Sequence, residues 1–287
     1  MRKFLILLIL LCLPACALAE IHLNAEPPAD WAERETLRVT FLQTGRSDAI
    51  LLECGGEAML IDGGDASWGS AIQHDLEKRG LTAFRYFLNT HPHNDHIEGL
   101  LHLMQQGYTP GRFMSPFTAD WNDDSFHQQA VKLAWEKGIP FRLVRDGDVF
   151  PLGGASIHIY RNTEYTGMNE RSAIQLITFG ESRMLLLADL TGTAQKAHLK
   201  ALPEGTLGAE IVKAPHHGEN AMVPELLDAV APALILCNSE SADAPALQLQ
   251  ADSRNLPVIY SGEGEITLVT DGVDWYVSQG EKTTRAR

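Results

Sequence analysis

Residues 90–96 read Thr90-His91-Pro92-His93-Asn94-Asp95-His96, and they decide both the fold and the chemistry that the sequence predicts. Imidazole nitrogens and carboxylate oxygens bind zinc-like cations at about 2 Å. The string follows a short apolar run at residues 86–88, predicted to be a buried strand, and precedes a helical pattern at residues 97–104. A loop at a strand end can aim alternate side chains at one point. We therefore predict that His91 and His93 hold one metal ion, while Asp95 and His96 face a second.

Outward from that string, strand patterns and helix patterns alternate along the chain. Apolar alternation or short apolar runs predict strands at residues 37–42, 49–52, 58–61, 149–160, 173–179, 184–188, 211–212, 234–237, 258–260, 266–270 and 275–277. Helical spacing predicts helices at residues 67–79, 97–104, 126–136, 193–202 and 224–230. No long linker, low-complexity tract or repeat interrupts the pattern, so we expect one compact domain over residues 20–287.

Three further motifs accompany the histidine string, in a characteristic order and spacing. They are Leu60-Ile61-Asp62-Gly63-Gly64, Leu186-Leu187-Ala188-Asp189 and Val212-Lys213-Ala214-Pro215-His216-His217-Gly218. Together with the histidine string, they resemble the metallo-β-lactamase superfamily over most of the chain. The resemblance implies an α/β fold, a four-layer αββα sandwich with metals at one end of the paired sheets. It also implies that Asp189 bridges two metals and that His217 is a late metal ligand.

Two of these residues admit a second interpretation. Asp189 stands before a predicted helix, and an aspartate in that position is often a helix cap. His216 lies beside His217, and we expect it to support the ligands or to transfer a proton to the leaving group, although the roles of the two histidines could be exchanged.

The sequence departs from the family pattern at one position. Many members place another histidine 20 to 25 residues before the bridging aspartate, where it completes the first metal site. That window, residues 164–169, holds Asn169 and no histidine. Ser172 lies three residues after it, and His158 lies further upstream in a predicted strand. We expect His158 to be structural, and the first metal to be weakly held or completed by water or Asn169.

Within the superfamily, the sequence resembles the C-terminal hydrolase domain of the competence protein ComEC. The shared features are the Pro-His-His-Gly string, residues 169–172, and the closing segments 260–262 and 270–272. The resemblance implies a hydrolase that uses metal-activated water on a phosphodiester or another ester, with one or two divalent ions, zinc first and manganese second. The alternatives are a β-lactam or lactone hydrolase and a non-catalytic metal-binding module.

The N-terminus predicts export. Arg2 and Lys3 precede an apolar run of about ten residues, and Ala17-Leu18-Ala19 offers a signal-peptidase site. Residues 1–19 are thus a predicted signal peptide that leads to the periplasm or the medium. A loose lipoprotein pattern at Cys16 is the less favoured alternative. No second apolar stretch is long enough to span a membrane.

The net charge of the chain indicates which substrates and partners it can bind. The chain carries a formal net charge of −14, which becomes −16 without residues 1–19 because that segment holds two basic residues and no acidic ones. This charge repels polyanions, so a small-molecule or phosphoester substrate is expected rather than general nucleic-acid binding.

Cys54 and Cys237 are either a disulfide or two buried thiols. Ser47 and Asp48 are weak candidates for substrate contact, and five scattered histidines are expected to be structural: His22, His74, His102, His127 and His198.

Overall fold

Two β-sheets face each other in the computed structural model, which describes residues 19–121 and 125–283. In chain order the first strands are β1 (Ile21–Leu23), β2 (Leu37–Phe41), β3 (Ile50–Cys54), β4 (Glu57–Ile61), β5 (Tyr86–Leu88), β6 (Phe113–Ser115), β7 (Phe141–Leu143) and β8 (Val149–Leu152). They are followed by β9 (Ala155–Tyr160), β10 (Ile174–Phe179), β11 (Ser182–Leu186), β12 (Ile211–Lys213), β13 (Leu234–Cys237), β14 (Val258–Tyr260), β15 (Ile266–Thr270) and β16 (Trp275–Gln279). The first sheet has the order β1-β16-β15-β2-β3-β4-β5-β6-β7, and the second has the order β14-β13-β12-β11-β10-β9-β8.

Helices cover the outer face of each sheet. They are α1 (Gly69–Lys78), α2 (Asn94–Gln105), α3 (Ser125–Glu136), α4 (Gly192–Ala201), α5 (Pro224–Val230) and α6 (Pro245–Arg254). Apolar side chains of α1, α2 and α3 pack on the first sheet, and those of α4, α5 and α6 pack on the second. A third apolar cluster fills the space between the sheets. These three clusters separate four layers, which confirms the predicted αββα sandwich.

The sheet topology brings separate parts of the sequence to one end of the sandwich. Strands β4 and β5 are parallel neighbours, with Ile61 opposite Leu88, and β11 and β12 are parallel neighbours, with Leu186 opposite Lys213. Because the carboxyl ends of parallel strands meet at the same edge, the residues after β4 and β5 approach each other. The residues after β11 and β12 do the same in the other sheet.

Some elements differ from the sequence prediction. Helix α2 begins at Asn94, three residues earlier than predicted, so Asp95 and His96 lie on its first turn rather than in a loop. The prediction missed α6, whose interior holds only Leu247 and Ala251 as buried residues and so shows little apolar periodicity. It also missed the three-residue strands β1, β6 and β7. Short strands give too few residues for a pattern of period two.

Two predictions concern residues near the termini and the cysteines. The predicted signal peptide lies outside the described residues except for Ala19, and Cys16 lies outside them as well. Cys54 and Cys237 are free thiols. Both are buried, one in each sheet, so of the two alternatives the structure has separate buried thiols. None of the described helices has the length and apolar character that a bilayer crossing requires.

Candidate metal centre

The histidine string turns from a strand into a helix at the edge of the first sheet. Strand β5 ends at Leu88, and His93 has an extended backbone (φ −67°, ψ 150°) immediately before the first turn of α2. His91 and His96 are completely buried. The tight turn lets residues 91 and 93 project from the loop while residues 95 and 96 project from the helix, so four side chains point into the same space.

All six predicted metal ligands lie together in two overlapping groups. The first consists of His91, His93 and Asp189, and the second of Asp95, His96, Asp189 and His217; within each group the ligand atoms lie within 4.8 Å of one another. Asp189 belongs to both groups. The site draws on both sheets, because Asp189 follows β11 and His217 follows β12.

Asp189 is the centre of this arrangement. Its Oδ2 atom lies 3.3 Å from His96 Nε2, 3.5 Å from His217 Nε2 and 3.6 Å from His91 Nε2. A tetrahedral zinc ion with bonds of about 2.0–2.2 Å holds neighbouring ligand atoms roughly 3.3–3.6 Å apart. The alternative interpretation, in which Asp189 caps a helix, does not hold: Thr191 is the residue that precedes α4.

Each buried histidine is contacted at its second ring nitrogen by another polar group. His96 Nδ1 lies 2.8 Å from Asp62 Oδ2, and His91 Nδ1 lies 3.1 Å from Thr90 Oγ1. His217 Nδ1 lies 3.2 Å from Asp48 Oδ1. Such contacts fix the orientation of a metal-binding imidazole. The other nitrogen of each ring faces the centre, where His91 Nε2 also lies 2.9 Å from His93 Nδ1.

Several buried polar atoms of the centre have no hydrogen-bond partner among the described residues. They include His96 Nε2, His217 Nε2 and Asp189 Oδ1. An orphaned buried polar atom costs about 1–3 kcal/mol, and native proteins rarely leave one without a partner or a bound ion. These nitrogen and oxygen donors fit a divalent cation, because zinc, manganese and iron all accept imidazole and carboxylate ligands.

The electrostatics of the centre also favour a cation. Burial opposes a charge on His96, but Asp189 and Asp62 outweigh burial and raise the pKa of its imidazole to about 10. Burial likewise opposes ionisation of Asp95, yet His217 and His96 lower its pKa to about 2. Burial and the neighbouring His96 lower the pKa of His91 well below 6.5. Asp95 thus stays ionised, and the carboxylates beside His96 hold an extra proton on that imidazole, which a metal ion would displace, whereas the His91 imidazole stays neutral.

The late histidine pair forms a strained turn. His216 and His217 both have positive φ angles, of 49° and 52°, in a region that non-glycine residues seldom occupy. His217 is 1% exposed and belongs to the second ligand group. The His216 side chain is 27% exposed, and its Nε2 lies 3.3 Å from Glu219 Oε2 and 3.8 Å from Asp189 Oδ2.

The remaining candidate histidines lie outside the ligand groups. His158 sits in β9 opposite Leu176, and its Nε2 contacts Thr178 Oγ1 at 3.4 Å, so it does not replace the missing ligand. None of the five histidines predicted to be structural belongs to a ligand group in the part of the chain that the structure describes. Asn169 does reach the centre, where its Nδ2 lies 3.5 Å from His216 Nε2.

One prediction about substrate contact is wrong, and one residue was missed. Ser47 and Asp48 are 0% and 2% exposed, so neither faces a substrate. Ser47 instead donates to the Thr44 carbonyl, and Asp48 bonds to the buried ammonium of Lys213. Burial opposes ionisation of Asp48, but Lys213 and His217 lower its pKa to about 2. The signal for Lys213 was present in the sequence: a lysine within the apolar strand β12 is costly unless it is paired.

Comparisons with known proteins concern the family and the fold. The sequence matches the metallo-beta-lactamase superfamily over residues 42–232. No curated protein gives a significant match.

Solved structures share the fold at low sequence identity. CmlA, a diiron beta-hydroxylase from Streptomyces venezuelae, matches with a TM-score of 0.55 and 15% identity over 85% of this chain and 55% of CmlA. The metallo-beta-lactamase fold protein YhfI from Bacillus subtilis matches with a TM-score of 0.52 and 12% identity, over 79% and 96% of the two chains. Igni18, a metallo hydrolase from Ignicoccus hospitalis, matches with a TM-score of 0.50 and 17% identity, over 82% of this chain and 98% of Igni18.

This chain therefore spans little more than half the length of CmlA, and at such identities the likeness concerns the fold alone. The family match covers well over half of the chain and includes the histidine string, Asp189 and His217. The chain belongs to the metallo-beta-lactamase superfamily.

Proposed function

We propose that this protein is an exported metal-dependent hydrolase that acts on a phosphodiester or another ester. The observation that carries the proposal is the position of Asp189, whose Oδ2 lies between the imidazoles of both halves of the chain. A site that holds two cations a few ångströms apart is suited to hydrolysis, because such pairs stabilise both the attacking and the leaving oxygen.

The chain supplies the ligands, and a bound cation supplies the chemistry that they lack. Bound there, a divalent cation would lower the pKa of water from about 15.7 toward ~7 and would polarise the oxygen of the scissile group. His91, His93 and Asp189 would hold one ion, and Asp95, His96, Asp189 and His217 the other.

Two side chains at the open side of the centre could exchange protons with a substrate or with water. The Asp95 side chain is 37% exposed, with Oδ2 only 3.2 Å from His217 Nε2, so it can orient a water molecule as well as bind metal. His216 is 27% exposed beside Asp189 and is the predicted proton donor to the leaving group.

The substrate class rests on the sequence motifs rather than on the fold. The Pro-His-His-Gly string and residues 169–172 resemble the hydrolase domain of ComEC, which supports a phosphoester substrate. The formal charge of −14 disfavours a long polyanion as substrate. Fold relatives hydrolyse different bonds, and CmlA is a hydroxylase with two irons, so the metal must be identified as well.

Export is part of the proposal and rests on the N-terminal sequence. Positive residues, an apolar run and Ala17-Leu18-Ala19 support cleavage before Glu20 and delivery to the periplasm or the medium. N-terminal sequencing of the protein from the cell envelope and the medium tests it. A start at Glu20 supports the signal peptide. A lipid-modified Cys16 at the N-terminus would replace it by a lipoprotein anchor, and an intact Met1 would overturn export.

Metal analysis followed by a substrate panel tests the activity. The purified protein is loaded in turn with zinc, manganese and iron, then assayed on bis-p-nitrophenyl phosphate, p-nitrophenyl acetate, a lactone and nitrocefin. We expect turnover of the phosphodiester or the acetate ester, and none after replacement of both His93 and Asp95 by alanine. Circular dichroism should stay native-like in that variant.

A matched control replaces a histidine that lies outside the ligand groups. His158→Gln alters β9 at a half-buried position and should leave turnover within about twofold of the unmodified protein. Turnover of nitrocefin or the lactone alone would favour the second function, a β-lactam or lactone hydrolase. Stoichiometric metal with no turnover on any substrate would favour a metal-binding module, and retained turnover in the double variant would refute the site.

A further inference from the structure

The two ligand groups are unequal. The second group offers four donors, whereas the first offers three, from His91, His93 and Asp189. The window in which many family members carry a further histidine holds Asn169 and no histidine. A catalytic zinc ion usually has three protein ligands and keeps one open position, and a bridging carboxylate is shared between two ions. The first ion is therefore short of one ligand of its own.

His216 lies next to this deficient group. Its Nε2 is 3.8 Å from Asp189 Oδ2, close to the 3.6 Å that separates His91 Nε2 from the same oxygen. The main chain holds it there, because the His216 N–H donates to the Ala188 carbonyl at 2.9 Å. This bond ties the late histidine turn to the residue before Asp189. His216 itself is not within 4.8 Å of all three ligand atoms of the first group, so its side chain has to turn toward them to bind the same ion.

The polar groups around His216 also point to a cation. Besides Asp189, Nε2 faces Glu219 Oε2 at 3.3 Å and Asn169 Nδ2 at 3.5 Å, while Asn169 Oδ1 is buried without a hydrogen-bond partner. Asparagine nitrogen and oxygen cannot be told apart without the hydrogen-bond network. In either orientation, an amide and two carboxylates converge on one imidazole nitrogen.

Releasing His216 from Glu219 costs little. Glu219 also pairs with Arg46, whose guanidinium lies 2.6 Å away, and both of those side chains are about half exposed. The carboxylate therefore keeps a partner when the imidazole turns away from it. Contacts between exposed charged groups contribute little to stability, because water and salt screen them.

We propose that His216 binds the first metal ion together with His91, His93 and Asp189, in place of the histidine that this chain lacks near residue 169. The inference rests on the proposed metal centre and deepens it. An imidazole nitrogen that binds a cation carries no proton, so this role replaces proton donation by His216. Imidazole is also a better zinc ligand than the neutral amide of Asn169.

The number of metal ions bound per chain distinguishes His216 from Asn169 as the additional ligand. The full protein, His216→Ala and Asn169→Ala are loaded with zinc, passed through a desalting column and analysed for bound metal per chain. Cobalt-loaded samples add a spectrum that reports the coordination of each site. We expect two ions per chain in the unmodified protein and in Asn169→Ala, but one in His216→Ala. Loss of a direct ligand should weaken the first site by more than the ~100-fold that an outer-shell change costs.

A rescue variant gives the most decisive test of the role of His216. Adding Asn169→His to His216→Ala places a histidine where family members carry one, and we expect two ions per chain again. Circular dichroism checks the fold of each variant, and His216→Gln takes the place of His216→Ala if the alanine variant does not fold. Two ions with an unchanged cobalt spectrum in the His216 variants would overturn the inference, and so would a loss in Asn169→Ala alone.

The metal readout keeps this inference separate from the proposed function. An unmodified protein that binds no divalent metal overturns both. One that binds two ions in the presence and absence of His216 overturns only the role of His216, whatever the substrate panel shows. A single ion per chain in the unmodified protein also overturns the inference, because the first site would then not form.

Discussion

The ammonium of Lys213 donates a hydrogen bond to the carboxylate of Asp48, and both side chains are buried at the metal end of the sandwich. Lys213 ends β12 of the second sheet, whereas Asp48 precedes β3 of the first. Lys213 also donates to the Ala188 carbonyl at 3.1 Å, and Asp48 Oδ1 lies 3.2 Å from His217 Nδ1. The ion pair thus joins the two sheets behind the metal ligands.

Replacing one partner of this ion pair should destabilise the protein more than replacing both. In Lys213→Met the Asp48 carboxylate loses its ammonium partner, and an uncompensated buried charge costs about 3–5 kcal/mol. Adding Asp48→Asn removes that charge and should recover part of the loss, so the two changes are not additive. Urea unfolding of the two single variants and the double variant measures the coupling.

An exposed lysine gives the matched control. Lys196 lies 3.9 Å from Glu225, and both side chains are 62% exposed, so Lys196→Met should change the free energy of unfolding by no more than about 1 kcal/mol. Equal losses for Lys196→Met and Lys213→Met would contradict the structural role of the buried pair.

Helix α2 lies so close to the loop after β4 that position 99 should accept no side chain. A Cβ on Gly99 would lie 1.7 Å from the Gly63 carbonyl oxygen, so Gly99→Ala must push the helix outward. Overpacking of this kind costs roughly 1–3 kcal/mol, sometimes more. Because α2 carries Asp95 and His96, we expect weaker metal binding as well, measured by chelator competition. Gly208→Ala, where the nearest such contact is 3.4 Å, should change neither quantity appreciably.

Removing metal should lower the stability of the folded state. A ligand that binds only the folded protein stabilises it by about 4 kcal/mol at a concentration 1,000 times its dissociation constant. Thermal unfolding with zinc and with a chelator should therefore differ by several degrees. The difference should shrink in His217→Ala, which lacks a donor of the second group. An unfolding midpoint that changes with neither zinc nor chelator would contradict a metal centre.

Buried His198 should make the protein sensitive to mild acid. Burial lowers the pKa of its imidazole below the ordinary 6.5, so near pH 6 the unfolded chain binds more protons than the folded one. Stability is then complete above pH 6.5 and is lost as the pH falls below that value. His198→Gln should lose less stability between pH 7.5 and pH 5.5 than the unmodified protein.

The comparison is made in chelator, so that metal release contributes nothing to the pH dependence. His74→Gln, a substitution at an exposed position of α1, serves as the surface control and should follow the unmodified protein. Identical pH slopes for the two variants would refute the role of His198.

Local sequence was enough to bring four candidate ligands together and to predict the sandwich. His91, His93, Asp95 and His96 lie within six residues, so a single turn from strand to helix places them together whatever the rest of the chain does. The apolar periods of the strands and helices likewise determine which face each element buries. Helix α6 and the strands β1, β6 and β7 escaped prediction because their patterns are too brief or too polar to differ from a loop.

The sequence by itself determined which residue types could bind a cation and which apolar faces had to be covered, since both depend on neighbours within a few positions. Only the tertiary structure decided which distant groups support the ligands. Asp48 and Lys213 are 165 residues apart, and His216 meets Asp189 because β11 and β12 are parallel neighbours. Such meetings depend on the order and register of the strands, which burial of the whole core selects and no local spacing encodes.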